Sequence, residues 1–294
     1  MKVAIFGQYY QNDTRPIIRD IFIFFNANNV EMVIEENFLK ILYEQEIVKK
    51  EYNTFNSYKC LDSSFDVLVS IGGDGTILRA ATFVRDSGVP IIGINAGRLG
   101  FLAKVQKESM EQFLQIVIQK KYTISPRTLL NLTCSPENEA IKELNFAMNE
   151  VSVSRKDTTS MITIETYLND EYLNSYWADG LIISTPTGST GYSLSCGGPI
   201  LTPEVKGFVI TPIAPHNLNA RPLVIPDDTT IKLKISGREN QYLVSLDSRI
   251  ATLDNNSILT IKKTPFQINM VEIPNETFLN TLRNKLLWGE DKRN

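Results

Sequence analysis

Hydrophobic and polar positions follow two different rhythms along the chain. Up to about residue 121, short apolar runs alternate with longer amphipathic ones. KVAIFG (2–7) and DVLVSI (66–71) are almost unbroken, the pattern of strands buried on both faces of a parallel sheet. VEMVI (30–34) and PIIGIN (90–95) read as strands too. Between them, helical spacing predicts helices over 15–29, 37–52, 76–88 and 107–121. Pro16 opens the first of these, Asn28-Asn29 ends it, and Gly88 stops the third. Residues 53–64 read as a polar connection. Strand and helix alternating at this spacing predict an α/β domain with an open, largely parallel sheet.

The rhythm changes near residue 122. TLLNLTC, NFAMNEVSVSR, MITIETYL, GLIIST, FVITPI, TIKLKI, YLVSL and SILTIKK are short β-type runs broken by turn residues, and LNDEYL (168–173) reads as a hairpin tip. They predict an all-β, sandwich-like second domain. NETFLNTLRNKLL (275–287) is the one later helical run. Phe278, Leu279, Leu282, Leu286 and Leu287 suit a face that packs back on the body. The expected organisation is an α/β domain over 1–124, a β-rich domain over 125–270 and a tail helix over 271–294.

Composition narrows the function classes. Thirty basic against 33 acidic residues give a net charge of −3, without the basic face a nucleic-acid binder needs. No 18-residue apolar window offers a membrane span, and the N-terminal apolar run is too short for a signal peptide. A cytoplasmic protein is therefore expected. Cys60, Cys134 and Cys196 lack metal-ligand spacing and read as idle thiols, while a single histidine, His216, excludes a multi-histidine zinc site. No metal site is expected in the protein itself. Neither G-x-x-x-x-G-K-[ST] nor G-x-G-x-x-G occurs.

The chemistry lies in the breaks between runs. Gly72-Gly73-Asp74-Gly75-Thr76 follows a predicted parallel strand and feeds a helix, at the end of the sheet where α/β proteins bind ligands. Glycines there leave bare backbone for phosphate at a helix N-terminus. Asp74 then either caps the helix in a tight turn or has a task beside the phosphates. Such a task is accepting a proton from an attacking hydroxyl or helping to hold Mg²⁺. In the segment 177–200, Thr185, Thr187, Ser189, Thr190, Ser193 and Ser195 surround Tyr192. They suit either a polar ligand with a flat ring or an ordinary solvent-exposed β-loop. Asn149-Glu150 interrupts an alternating strand, as a clamp for the vicinal hydroxyls of a ribose or as a bulge or strand end. Phe101 reads as core, or as an aromatic wall for a base.

Taken in order, GGDGT (72–76), NAGRLGFLA (95–103), NE (149–150), ADGLIISTPTGSTGYSLSCGGPI (178–200) and TPIAPHNLNARPLVI (211–225) resemble the NAD kinases. The resemblance implies ATP- and Mg²⁺-dependent phosphorylation of the 2′-hydroxyl on the adenosine ribose of NAD, in a homodimer or homotetramer. It makes Asp74 the proton acceptor within Gly72, Gly73, Gly75 and Thr76, with Arg79 reaching the ligand. It gives Asn149 and Glu150 the second ribose, Asp179 the nicotinamide half, and Thr190, Gly191, Tyr192, Ser193, Leu194 and Ser195 the adenosine. Phe101 and Ala214 would line that site. Two positions depart from the family pattern: Gly191, where most relatives have Ala, and Ser248, where many have Gly, which leaves the roles of Asp247 and Arg249 open. GGDGT is shared with diacylglycerol-type lipid kinases, and a non-catalytic NAD-sensing module is the other alternative.

Overall fold

The computed structural model describes residues 1–9, 14–97, 100–105, 107–157, 160–272 and 276–288. Arg98 and Leu99 of the NAGRLGFLA motif, Asn275 at the start of the expected helical run 275–287 and the charged C-terminal end lie outside the described residues. By its contacts the chain divides into two units, residues 1–126 together with 268–294, and residues 127–267.

In the first unit the apolar runs build one side of a seven-stranded sheet. Its spatial order is Asn53–Phe55, Glu31–Glu35, Lys2–Gly7, Val67–Gly72, Ile91–Asn95, Ile268–Glu272 and Thr123–Arg127. The strands from Asn53–Phe55 through Ile268–Glu272 pair in parallel. Val3, Ile5, Val67, Val69, Ile92 and Ile94 meet Ile18, Ile21, Phe25, Leu114 and Val117 of the covering helices. The chain builds outward from Lys2–Gly7 in one direction, then returns to place Val67–Gly72 on its other side. That reversal makes the C-terminal ends of these two strands the topological switch point, where a crevice opens for ligands.

Several elements differ from the reading of the sequence. The stretch expected as a polar connection holds the strand Asn53–Phe55 and a 3₁₀ turn, Tyr58–Cys60. An edge strand that buries only Phe55 needs no apolar run. The helix expected over 37–52 spans Glu36–Glu44 and stops where Glu46 takes φ 51°. The final helix, Phe278–Leu286, buries Thr281 and Leu282, whereas Leu279 and Leu287 are 59% and 56% exposed. Phe278, Thr281, Leu282 and Lys285 share a helical face by their spacing; Leu279 does not, and Leu287 lies past the last turn.

The second unit is the expected sandwich. One sheet runs Glu171–Ala178, Ile162–Leu168, Ile231–Gly237, Ile258–Lys263, Leu130–Ser135 and Phe146–Ala147. The other runs Leu223–Pro226, Gly207–Ile213, Gly180–Ser184, Glu150–Arg155, Gln241–Leu246 and Arg249–Asp254. Leu132, Ile164, Leu233 and Ile261 of the first share one core with Val153, Leu181, Ile210 and Val244 of the second. The tip of LNDEYL is a tight hairpin turn, Asn169 and Asp170 both having positive φ. Within NFAMNEVSVSR the chain leaves one sheet after Ala147 and enters the other at Glu150, so Met148 and Asn149 are the crossing.

Candidate active site

In the first unit the site grows from the end of Val67–Gly72. Gly72 has φ 153°, and a Cβ there would meet the Thr76 hydroxyl at 2.3 Å, so both backbone and space require glycine. Thr76 instead donates to Gln8 Oε1 at 2.9 Å, and Gln8 N donates to Ile71 O at 3.0 Å, which ties the two switch-point strands together. A Cβ on Gly73 or Gly75 would meet nothing within 4 Å. The start of helix Asp74–Val84 thus presents open backbone, as phosphate binding needs.

Asp74 is not the cap of this helix. The N-cap is Gly73, and Asp74 occupies the first helical position with its carboxylate turned to another loop. Oδ2 accepts from Phe101 N at 2.8 Å, and Oδ1 accepts from Leu102 N at 3.0 Å and Ala103 N at 2.9 Å. Gly100 allows this approach, since its Cβ would stand 1.9 Å from Oδ1. A carboxylate has about four lone-pair directions. Three are taken, and the fourth, on Oδ2, stays available to a hydroxyl. Phe101 is half-buried rather than core. Its ring lies 6.3 Å from that of Phe278, with the Lys285 ammonium 5.3 Å from its centroid. Arg79 is exposed and lines a cleft of about 490 Å³ with Gly7, Gln8, Glu35 and Thr82, beside the switch point.

In the second unit, Asn149 and Glu150 sit at the crossing between the sheets, gripped from two sides. Their amides face Asp247: Met148 N donates to Oδ2 at 3.0 Å, while Asn149 N and Glu150 N donate to Oδ1 at 2.8 and 3.2 Å. The carbonyls face Thr185, whose hydroxyl donates to Met148 O at 2.6 Å and whose amide donates to Asn149 O at 2.9 Å. The backbone is spent on fixing the pair, and the side chains are left for other work. Asn149 Oδ1 and Glu150 Oε2 are buried with no hydrogen-bond partner. Gly191 lies beside the two side chains, its Cβ position 3.6 Å from Glu150 Oε2 and 3.7 Å from Asn149 Nδ2.

Electrostatics sets the state of this pair. Burial, with the neighbouring charge of Asp247 added, raises the Glu150 carboxyl to about 8, so it is protonated at neutral pH. Burial raises Asp247 as well, with three amide donors and Arg249 acting against the rise. Three amides and a guanidinium face Asp247, whereas Glu150 Oε2 has no donor, so of the two it is Asp247 whose charged form is favoured.

The hydroxyl-rich segment is mostly scaffold. Four of its six hydroxyl residues, Thr185, Thr187, Ser189 and Ser193, are buried. Ser189 bonds Pro186 O and Leu201 N, and Ser193 shares a 2.8 Å bond with Thr211. Thr190 donates to Thr187 O at 3.2 Å. The segment folds as a 3₁₀ turn, Gly188–Thr190, and a short helix, Tyr192–Ser195, not as a β-loop. Tyr192 and Ser195 are exposed, Leu194 half-buried. Partial burial, with the charges of Cys196, Glu150 and Asp179 added, raises the Tyr192 phenol. Asp179 is held by Arg155 at 3.1 Å. Ala214, exposed at φ 41°, follows the strand that pairs with Gly180.

Within the first unit Asp74 meets the loop of Phe101, and within the second Asn149 and Glu150 lie beside Gly191. Sequence reasoning missed Gln8 and Gly100, and it left the roles of Asp247 and Arg249 open. The signal at 247 was a charged residue in a tight turn between alternating strands, where glycine or asparagine is the easy choice.

A sequence model of the ATP-NAD kinase N-terminal domain matches residues 3–122, and one of the ATP-NAD kinase C-terminal domain matches residues 148–273. The chain is 77% identical to the NAD kinase of Flavobacterium johnsoniae and 41% identical to that of Bacteroides fragilis, over the full length of both proteins in each case. Among solved structures, yeast NADH kinase complexed with NADH shares the fold with a TM-score of 0.88 at 23% identity, covering 99% of this chain and 88% of that one. An NAD kinase from Archaeoglobus fulgidus in complex with ATP gives 0.74 at 26% identity, covering 98% and 99%. With both halves matched and full-length relatives this similar, the chain belongs to the NAD kinase family.

Proposed function

We propose that the chain transfers the γ-phosphoryl group of ATP to the 2′-hydroxyl of the adenosine ribose of NAD, giving NADP. The observation that carries the substrate side is the pair of buried, unpartnered polar atoms, Asn149 Oδ1 and Glu150 Oε2, on side chains beside Gly191. An acceptor beside a protonated carboxyl matches the vicinal hydroxyls of a ribose. Tyr192 offers a ring face beside them, and Asp179, oriented by Arg155, takes the nicotinamide half. Phe101 and Ala214 are assigned to the walls, with Leu194, Ser195 and Thr190 around the adenosine.

Phosphoryl transfer needs alignment and charge neutralisation more than covalent help. Asp74 orients the 2′-hydroxyl through the open direction on Oδ2 and takes its proton late, as the bond to phosphorus forms. Gly72, Gly73, Gly75 and Thr76 supply the phosphate-facing backbone, and Arg79 a cation beside it. Among the described residues no three His, Cys, Asp or Glu side chains converge as a ligand set. A divalent ion is thus assigned to the ATP phosphates, where Mg²⁺ offsets their charge against Asp74. We assign the protein to the cytoplasm as a homodimer or homotetramer; among the described residues no helix is long and apolar enough to cross a membrane.

The test is NADP formation from NAD, ATP and Mg²⁺, read with an NADP-specific dehydrogenase, with mass photometry for the oligomer. Folded protein that forms no NADP with any phosphate donor overturns the reading. Family membership across both halves leaves the lipid-kinase alternative unsupported, and lipid vesicles in the same assay should accept no phosphate.

A further inference from the structure

The hairpin Gln241–Leu246 to Arg249–Asp254 turns through only two residues, since Leu246 pairs directly with Arg249. The first of them, Asp247, has φ 54°, the left-handed region where glycine is least strained. Ser248 is not in that region, so a serine replaces the family's usual glycine there without backbone strain. An aspartate at the strained position is costly twice, because its side chain is only 5% exposed. Its carboxylate makes no contact with the turn's own backbone that would explain it. Both oxygens go instead to the amides of Met148, Asn149 and Glu150, nearly a hundred residues away, and Asp247 N returns a bond to Glu150 O at 3.0 Å. The turn is braced by Ser245, which donates to Asp247 O at 2.7 Å. Arg249, two residues on, donates to the carbonyls of Leu144 and Phe146 and stands 3.9 Å from Asp247. The hairpin thus grips the chain from Leu144 to Glu150, with an anion for its amides and a cation for its carbonyls.

We propose that Asp247 is a positioning residue for substrate: it fixes the Asn149–Glu150 crossing so that both side chains project together at the ribose, and Arg249 completes the grip. This rests on the assignment of that pair to the NAD ribose. Asp247 touches no substrate in this account. Its effect is on binding of NAD, uniformly in ground and transition states, and not on the phosphoryl donor.

Asp247→Gly keeps the turn comfortable and removes the carboxylate. It should raise KM for NAD about tenfold, with KM for ATP and kcat at saturating NAD within about twofold of wild type. Asp247→Asn keeps one oxygen, able to serve Asn149 N and Glu150 N, but sets an amide against Met148 N–H. It should give an intermediate rise in NAD KM, a partial rescue that general loosening would not produce. Hydrogen exchange at residues 148–150 should quicken in the same order. Unchanged NAD KM in folded Asp247→Gly, or NAD and ATP constants rising together, overturns the proposal. If Asp247→Gly does not fold, unchanged NAD KM in Asp247→Asn does so. Failure of the kinase reading would show separately, as wild-type protein that makes no NADP.

Discussion

Glu150→Gln replaces a protonated carboxyl by an amide of the same shape, and the structure sets the size of the effect. Glu150 titrates near its ordinary 4.5 in the unfolded chain and at about 8 in the fold. A raised acid favours the fold only while it is protonated in both states. From pH 4.5 to about 8 the unfolded chain has released this proton and the folded one has not, so stability falls as pH rises. At pH 7 the gap is 2.5 units above 4.5, which at about 1.4 kcal/mol per unit is of the order of 3 kcal/mol. At pH 5 it is about 0.7 kcal/mol by the same arithmetic. Glutamine does not titrate, so its advantage over glutamate should widen from pH 5 to 8 and then level off. The assay is urea unfolding at several pH values. A Trp288→Phe background leaves Trp177 to report on the β unit, the chain having two tryptophans. NAD binding should stay within a few-fold, because the amide still offers a donor and an acceptor. Parallel stability curves for wild type and variant would refute a protonated Glu150.

Asp74→Asn should lower turnover by about 10²-fold or more, and because asparagine offers one acceptor oxygen in place of two, amide exchange at Phe101, Leu102 and Ala103 should quicken by mass spectrometry. Gly100→Ala should mimic it in a steady-state assay, since the new methyl would occupy the place of Asp74 Oδ1; activity within twofold of wild type would contradict the clamp. Gly72→Ala should lower the thermal midpoint, with a cost of about 1–3 kcal/mol for a left-handed position that also meets Thr76. Phe278→Ala should cost about 0.5–1.5 kcal/mol in the first unit's unfolding through the lost ring contact with Phe101.

Much of the fold was legible because burial on two faces writes itself as apolar runs. Lys2–Gly7, Val67–Gly72 and Ile91–Asn95 are such strands, and the alternation after residue 122 foretold the sandwich. Elements that bury little stayed hidden: Asn53–Phe55 is anchored by one phenylalanine, and Ile268–Glu272 finds its partners about 180 residues back, at Ile91. In the site, residue types were legible and directions were not. The loop around Asp74 pointed to phosphate, but no local pattern shows a carboxylate answered by amides 27 to 29 residues on. The hydroxyls of 185–195 look alike as letters, yet Thr185 braces the Asn149 crossing while Ser195 faces out. Asn149-Glu150 lies at a strand end, because the interruption is where the chain changes sheets.

The strand Ile268–Glu272 also sets an order of events for the growing polypeptide. It lies between Ile91–Asn95 and Thr123–Arg127, so the last strand among the described residues fills an interior place in the first sheet. A ribosome emits all of residues 127–267 before that place can be filled. The β unit is thus an insertion whose residues are all available to fold while its host still waits, and a fragment ending at residue 126 would leave residues 123–126 without their neighbour in the sheet.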